Sequence, residues 1–395
     1  MKQLNVSAVL KVIRDNGSLS RAEIAKLTGL TPASVTNITK ILIEDKFLIE
    51  SKIGESSGGR PPIILELNPN ARYVIGIGIG VGVIDVVITN LSAQIITKKS
   101  IIIDNERYNY DLVFKKLINL INEVLESSEL DKEKILGVGV ALHGIVNART
   151  GESIHSLYYG WKNKNIKEDL EEELELTVYV DNDVRAMALG ESWFGVTKDI
   201  ANFVTLNISN GIGAGIIINN TPYYGVDFSA GEIGHIVVEA DGDKCNCGNY
   251  GCLETVSSNN NIIRKAIKLI KQGVSTSLSR DVEDINKLSI QDICDAAKNG
   301  DEMSITILKE AARYIGIAIT NLINILNPTA IVVVGEIFEN TTYAIETLNE
   351  IVKNRGLKLS IENVRIIRSL LGRDAAVIGA ATLVIQEIFN GINRK

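Results

Sequence analysis

The amino-acid sequence predicts an α/β protein in two parts: a small helical module with a β-hairpin, then a larger body built from two α/β lobes. Charge changes along the chain: residues 1–60 hold nine basic and six acidic side chains, a balance of +3, whereas the whole chain is at −7. The remainder therefore carries −10, which indicates a domain boundary. A turn-rich segment, residues 56–62, lies near that boundary. Beyond it, glycine-punctuated β runs alternate with helical patterns, and this arrangement starts again near Asn202.

The composition excludes several classes of protein. A chain of 395 residues is long enough for two or three domains, and 45% hydrophobic with 23% charged residues excludes a disordered chain. Four cysteines are too few for a disulfide scaffold. The first residues do not resemble a signal peptide, and the longest uncharged run, residues 73–84, is too short to span a bilayer. We therefore expect a cytoplasmic protein that contacts no membrane.

The first domain, residues 1–68, has the pattern of three helices and a hairpin. Apolar residues recur at helical spacing over residues 4–13. Ser20 and Glu23 form a capping box at the start of a second helix, and Pro32 stands at the first position of a third. Residues 47–67 supply two strands around the turn-rich segment. Together these elements predict a winged helix-turn-helix.

The third helix and the hairpin tip carry polar side chains that suit DNA. Small and polar residues of the helix face outward, where they can reach base edges and phosphates of a major groove. The Gly-Gly-Arg tip at residues 58–60 suits a narrow minor groove. The predicted DNA contacts are Arg21, Thr31, Ser34, Thr36, Asn37, Lys40 and Arg60. The alternative is a three-helix bundle with a solvated polar face, but the basic balance favours double-stranded DNA.

A dense group of metal-ligating residues lies in the second lobe. His235 is followed by Cys245, Cys247 and Cys252, whereas Cys294 stands apart. Three thiolates and one imidazole fill a tetrahedral zinc shell and leave no open position, which is typical of a structural site. The alternative, three incidental buried cysteines, is unfavourable at this density in a reducing compartment. The sequence therefore predicts structural Zn²⁺.

A second group is polar. Asp181, Asn182 and Asp183 follow a predicted strand and are expected at its carboxyl edge, where ligands usually bind. Glu232 precedes the zinc-ligating histidine by three residues, and Glu254 follows the last zinc-ligating cysteine by two. Carboxylates and an amide match vicinal hydroxyls, because they accept and donate hydrogen bonds in pairs. Each residue alone is better explained as a solvated loop residue, so the interpretation depends on the zinc-anchored neighbour.

Two glycine runs, residues 76–82 and 211–215, follow the same pattern of strand and turn. Such turns can cradle phosphates through backbone N–H groups. The first run has no Asp, Thr, Ser or Lys to hold magnesium or a phosphate, as a phosphoryl-transfer site requires. Tight strand packing explains these glycines at least as well.

These motifs resemble the ROK family, which comprises repressors, open reading frames and sugar kinases. The segments GEIGH and CNCGNYGCLE look like the family signature, and the module ending in SSGGRPP is similar to its repressor branch, particularly xylose-repressor-like members. The resemblance covers essentially the whole chain. It implies that residues 69–395 form an actin-like, hexokinase-type (ribonuclease H-like) pair of lobes. The first lobe takes about residues 69–195 plus the C-terminal helix, and the second takes about residues 196–375.

The resemblance also assigns roles to residues. The residues that match the family's sugar-contacting positions are Asn182, Asp183, Glu232, His235 and Glu254. The residues that match its zinc-ligating positions are His235, Cys245, Cys247 and Cys252. His235 would serve twice, with one ring nitrogen on zinc and the other near a sugar hydroxyl. In kinase members the residue matching Asp183 is the general base.

Departures from the sequence pattern of the kinase members favour a repressor over a sugar kinase. Residues 78–82 match the first phosphate loop of the kinase members but lack its Asp and Thr. The second matching loop reads Ser-Asn-Gly at residues 209–211, and Glu336 stands where the family usually has glycine. We therefore predict a repressor without enzyme activity. It would bind operator DNA as a homodimer or homotetramer and respond to xylose or another mono- or oligosaccharide. Departures at residues 157–161 and 184–185 leave the sugar open. The alternatives are a sugar kinase with a DNA module and a DNA-binding scaffold whose pocket has decayed.

Overall fold

The structure is a computed structural model that describes residues 2–53, 62–103, 108–281 and 284–390. Its N-terminal module consists of α1 (Lys2–Asn16), β1 (Leu19–Ser20), α2 (Arg21–Thr28), α3 (Pro32–Glu44), β2 (Leu48–Ile53) and β3 (Ile63–Leu67). The strands pair in the order β1-β3-β2. The predicted capping box is present: the Ser20 hydroxyl accepts from the Glu23 N–H, and the Glu23 carboxylate accepts the Ser20 N–H at 2.8 Å. The winged helix-turn-helix is confirmed, and its predicted tip, residues 58–60, lies outside the described residues.

The first lobe is built on a five-stranded sheet. Its elements are β4 (Tyr73–Ile79), β5 (Val83–Asn90), β6 (Ile95–Ile102), α4 (Tyr110–Ser128), β7 (Ile135–Leu142), β8 (Ile145–Asn147), β9 (Glu152–Ser156), β10 (Trp161–Lys164), α5 (Ile166–Leu174), β11 (Val178–Asn182) and α6 (Asp183–Phe194). The order is β11-β7-β4-β5-β6, with a parallel half (β11, β7, β4) and an antiparallel half (β4, β5, β6). Strands β8 to β10 form a small sheet of their own.

The second lobe repeats this plan. Its elements are β12 (Phe203–Ile208), β13 (Ile212–Ile218), β14 (Thr221–Pro222), α7 (Leu253–Ser257), α8 (Asn259–Lys271), α9 (Leu278–Asp281), α10 (Ile290–Lys298), α11 (Glu302–Leu326), β15 (Ala330–Val334), α12 (Glu336–Glu339), α13 (Tyr343–Arg355), α14 (Lys358–Ile361) and β16 (Arg365–Arg368). The order β14-β13-β12-β15-β16 again joins an antiparallel half to a parallel half. The predicted duplication of the lobe is therefore present, whereas the limits at residues 68 and 195 stay predictions.

The last helix, α15 (Ala375–Asn390), leaves the second lobe and packs on the sheet of the first. Glycines on β4 and β7 allow this close approach. A Cβ at Gly139 would lie 1.7 Å from the carbonyl oxygen of Ala380, and one at Gly76 would lie 2.5 Å from that of Val377. The helix also packs along α6, where a Cβ at Gly379 would lie 2.1 Å from the Ala186 carbonyl oxygen. Helix α15 is therefore held against both the sheet and α6.

The far ends of α6 and α15 meet the winged helix-turn-helix. Buried apolar residues of α1 and α15 belong to one cluster: Val9, Leu10, Ile13, Ala381, Val384, Ile385, Ile388 and Phe389. The Arg14 guanidinium lies 4.0 Å from the ring centroid of Trp193 on α6 and 5.3 Å from that of Phe389 on α15. The N-terminal module therefore shares a core with the body. Among the described residues, no helix is both long and apolar enough to cross a membrane.

Candidate functional site

A cavity of about 1060 Å³ lies between the lobes. One wall is formed by the ends of β4 and β7 and by the start of α6. The other wall is formed by the turn between β12 and β13, the segment that joins β15 to α12, and the metal-ligand loop. All five predicted sugar-contacting residues line this cavity: Asn182, Asp183, Glu232, His235 and Glu254. The structure thus brings together residues that are up to 72 positions apart in the sequence.

Parallel pairing of β7 and β11 positions Asp183. The two strands are in register, with Leu142 opposite Asn182, and α6 begins at the next residue. Asp183 is 7% exposed. Its Oδ1 accepts from the Val184 N–H at 3.0 Å and from the Asn182 side-chain amide at 2.8 Å, which leaves Oδ2 towards the cavity.

Asn182 is the N-cap of α6, and its side chain is engaged within the protein. Its Oδ1 accepts from the N–H groups of Val184 and Arg185, at 3.0 and 3.1 Å. Its Nδ2 donates to the Gly144 carbonyl at 3.0 Å and to Asp183. An amide has two N–H donors, and both are used here. Asn182 therefore orients Asp183. Neither of its N–H donors is left over for the direct sugar contact that the sequence predicts.

Arg185, which departs from the family pattern, lies beneath the site. It is 3% exposed and its Nε donates to Asp181 at 2.7 Å. Its other nitrogens donate to the carbonyl groups of Val146 and Phe228, at 2.9 and 2.8 Å. Burial raises the pKa of Asp181, although the guanidinium opposes that shift. Arg185 therefore joins the start of α6 to β8 and to the loop that contains Phe228.

Glu232 and Glu254 approach from the second lobe. The Glu232 Oε2 lies 3.9 Å from Nε2 of His235, and Oε2 of Glu254 accepts from the Ile212 N–H at 3.3 Å. Burial raises the pKa of Glu232, with the nearby Asp183 charge adding to the rise and His235 opposing it. The site thus presents three carboxylates, which can only accept hydrogen bonds when ionised.

His143 was missed by sequence reasoning and lies in the middle of this site. It directly follows β7, and its Nδ1 is 3.7 Å from Oδ2 of Asp183. Burial lowers the pKa of His143, but Asp183 and the charges of Glu254 and Glu232 outweigh that effect and leave the pKa raised. Its position after a buried strand, next to the strand that leads to Asp183, was the available signal.

The predicted metal ligands are together. The ligand atoms of His235, Cys245, Cys247 and Cys252 all lie within 4.8 Å of one another and could hold a metal ion. The Cys245 Sγ is 3.6 Å from Nδ1 of His235, and the sulfurs of Cys247 and Cys252 are 3.7 Å apart. Since Nδ1 of His235 faces the thiols, its Nε2 is the nitrogen that faces Glu232. Burial raises the pKa of the Cys252 thiol, and a bound cation would favour its ionised form.

The other half of the cavity, where the kinase pattern is lost, is lined by the protein's own ion pairs. Lys98 pairs with Asp374 at 2.7 Å. Arg373 lies 3.8 Å from Glu339, and Asn259 donates to Glu336 at 2.9 Å. The bases are thus already paired, and Glu336 adds a negative charge.

Five of the seven predicted DNA-contacting residues lie on or next to α3. Thr31, Thr36, Asn37 and Lys40 are exposed on or next to α3, and Ser34 is half-buried. Arg21 differs, because its guanidinium donates to Thr39 and Glu50, both at 3.1 Å, and so fastens α2 to α3 and β2. Arg60 lies outside the described residues. The outward face of α3 is therefore the candidate nucleic-acid interface.

Comparisons with known proteins agree with this architecture. Residues 74–387 match the ROK family, and residues 6–48 match a winged helix-turn-helix DNA-binding domain. The xylose repressor of Caldicellulosiruptor bescii is 32% identical over 400 residues, covering 99% of this chain and 97% of that protein. The DNA-binding transcriptional dual regulator NagC of Escherichia coli K12 is 33% identical over 392 residues, with 99% and 95% covered.

Solved structures extend the comparison to the fold. A ROK family transcriptional regulator, a homolog of the E. coli MLC protein, superposes with a TM-score of 0.84 at 30% identity, over 99% of this chain and 97% of that one. A ROK family glucokinase from Streptomyces griseus, in complex with glucose and AMPPNP, superposes with a TM-score of 0.72 at 24% identity, over 80% and 99%. The hexokinase-type pair of lobes is thereby confirmed. The chain belongs to the ROK family, among the members that carry a winged helix-turn-helix DNA-binding domain.

Proposed function

We propose that this protein is a sugar-responsive transcriptional repressor whose sugar cavity and operator-binding module communicate through α6 and α15. One observation carries the proposal: each of these helices has one end at the cavity and the other at the winged helix-turn-helix. Helix α6 starts at Asp183 and reaches Trp193, under Arg14. Helix α15 starts beside Ala376, which lines the cavity, and reaches Phe389 in the shared core.

Sugar binding would act through the lobes. A ligand held by Asp183 on one side and by Glu232 and Glu254 on the other favours a closed cavity, because only that state satisfies both sets of groups. Helices α6 and α15 are packed against each other, so closure that moves them as a pair would also move α1, which packs on their far ends. A coupling free energy on the order of 1–3 kcal/mol changes operator affinity roughly 5- to 150-fold.

Operator binding would use two copies of the chain. A homodimer, or a homotetramer made of such dimers, places two α3 helices in successive major grooves about 34 Å apart. Asn37 suits a base edge, whereas Lys40 suits a phosphate. Arg60, at the predicted wing tip, would enter the minor groove. A chain that works on operator DNA and keeps its thiols reduced belongs in the cytoplasm.

Structural Zn²⁺ is the metal that the ligand set suits best. With zinc–sulfur bonds of about 2.3 Å and a zinc–nitrogen bond of about 2.0 Å, two sulfurs of a tetrahedral site lie about 3.8 Å apart and a sulfur and a nitrogen about 3.6 Å apart. The observed separations are 3.7 Å between Cys247 and Cys252 and 3.6 Å between Cys245 and His235. When bound, the ion ionises the thiols and fixes the loop without activating water, because no position is open. Through His235 that loop would orient Glu232, and through Cys252 it would orient Glu254 at the start of α7.

Xylose is the first candidate effector, and other mono- and oligosaccharides follow it. The names of two relatives support testing two sugars first, since one relative is a xylose repressor and another is an N-acetylglucosamine repressor. The predicted sugar contacts are Asp183, Glu232, His235 and Glu254, with Asn182 acting through Asp183. Isothermal calorimetry with xylose, glucose and N-acetylglucosamine tests this assignment. Binding of none of them would favour the alternative of a DNA-binding scaffold with a decayed pocket.

A sugar kinase is the second candidate, and the retained Asp183 is the observation that favours it. Against it, the cavity half that would hold the nucleotide carries Glu336 and bases already paired with carboxylates. The loops also lack the groups that hold magnesium and phosphate. We therefore expect no ADP release when sugar and ATP are added together. Sugar-dependent ADP release that disappears in Asp183→Asn would establish the kinase instead.

A further inference from the structure

His143 is held rigidly at the point where the two lobes face each other. The backbone N–H of His143 donates to the Ile79 carbonyl at 2.9 Å. The carbonyl of the next residue, Gly144, accepts a hydrogen bond from the Asn182 side chain. Across the cavity, a Cβ at Gly211 of the β12–β13 turn would lie 3.4 Å from Cε1 of His143. The imidazole therefore extends from the first lobe to the second, with a quarter of its side chain exposed.

The charged groups that surround His143 are hydrogen-bond acceptors. The carboxylates of Asp183, Glu232 and Glu254 accept hydrogen bonds, and both donors of Asn182 are used. A sugar hydroxyl donates one hydrogen bond and also accepts, so a hydroxyl that donates to a carboxylate still needs a donor for its lone pairs. A ligand hydroxyl left without that donor in a buried site binds more weakly.

The distance between His143 and Asp183 fits one bridging hydroxyl. Nδ1 and Oδ2 are 3.7 Å apart, too far for a hydrogen bond to each other. An oxygen atom placed about 2.8 Å from both atoms sits about 2 Å to the side of the line that joins them. Oδ1 of Asp183 is already occupied, so Oδ2 is the oxygen that faces the ligand.

Resting on the proposed function, we propose that His143 is a further sugar-contacting residue, whose imidazole donates to the hydroxyl that Asp183 accepts from and thereby selects among sugars. The ligand class is a neutral sugar that carries a free hydroxyl at this position. A sugar in which that hydroxyl is missing loses the contacts of both residues at once. Because His143 also faces Gly211, the contact forms between the two lobes.

The test is calorimetry on the full chain with xylose, glucose and N-acetylglucosamine, followed by the monodeoxy analogues of the sugar that binds most tightly. We expect His143→Leu to lower affinity for the parent sugar roughly 10- to 100-fold, and His143→Asn, which keeps an N–H donor, to recover most of it. The deoxy analogue that lacks the shared hydroxyl should bind the wild-type chain weakly. Its affinity for His143→Leu should lie within about threefold of its affinity for the wild-type chain. A general structural defect would instead weaken every analogue by the same factor, which would overturn the proposal.

Metal content and sugar-free DNA binding serve as controls for folding. Should His143→Leu fail them, His143→Phe keeps a ring without a donor and carries the same comparison. If the wild-type chain binds a sugar and both donor-free variants bind it equally well, only the role of His143 is refuted. If the wild-type chain binds none of the three sugars, the proposed function and this assignment are both refuted.

Discussion

Arg14 offers the sharpest test of communication between the cavity and the DNA-binding module. Its guanidinium lies over Trp193 at 4.0 Å and beside Phe389 at 5.3 Å, so it touches the ends of both connecting helices. The side chain is 28% exposed and thus partly desolvated, which gives about 1–2 kcal/mol for the two cation–π contacts together. Its ion pair with exposed Asp15 contributes little.

Arg14→Ala should therefore remove most of a coupling free energy of about 1–3 kcal/mol. In fluorescence anisotropy with an operator duplex at fixed salt, the sugar-induced change in operator affinity should shrink by roughly 5- to 30-fold or vanish. Calorimetric sugar affinity without DNA should stay near the wild-type value. Lys309→Ala is the matched control, because Lys309 makes a similar contact with Tyr343 at 5.6 Å in the second lobe. A sugar effect in Arg14→Ala within about twofold of wild type would refute the proposed route.

Three further predictions concern the metal, the DNA interface and the packing of α15. Cys247→Ser, or chelation, should lower metal content and weaken sugar binding before it lowers sugar-free DNA binding; full metal content with normal sugar affinity would contradict the role of the loop. Asn37→Ala should relax sequence preference, whereas Lys40→Ala should weaken all sequences and reduce the salt slope by about 1, and a flat salt response of the wild type would contradict both. Gly139→Ala should lower the free energy of unfolding by about 3 kcal/mol or more, since its Cβ would lie 1.7 Å from a carbonyl oxygen of α15. Gly80→Ala, whose Cβ has no neighbour nearer than 3.8 Å, should change thermal stability far less.

Features set by local spacing were predictable from sequence. The capping box at Ser20 and Glu23 and the cluster of His235 with three cysteines each depend on residues close in the chain. The repeated pattern of strand, turn and strand likewise predicts the second lobe, because glycine and β-branched residues indicate the pairing of strands that are close in the sequence.

Features that depend on which surfaces meet were not predictable. The family resemblance places the C-terminal helix in the first lobe, but the sequence does not predict that α15 packs on Gly139 or shares a core with α1. His143 is one of three histidines in the sequence and belongs to no motif, and its place beside Asp183 follows from the parallel register of β7 and β11. Asn182 is predicted to contact a sugar, yet its Oδ1 caps α6 and both of its Nδ2 donors bond the Gly144 carbonyl and Asp183.

Operator binding measured with and without sugar tests the central claim most directly. An operator duplex from the chain's own promoter region is titrated at fixed salt, alone and with each of the three sugars at saturation. We expect one sugar to change operator affinity by about 5- to 150-fold. A sugar that binds by calorimetry and leaves operator affinity unchanged would contradict it.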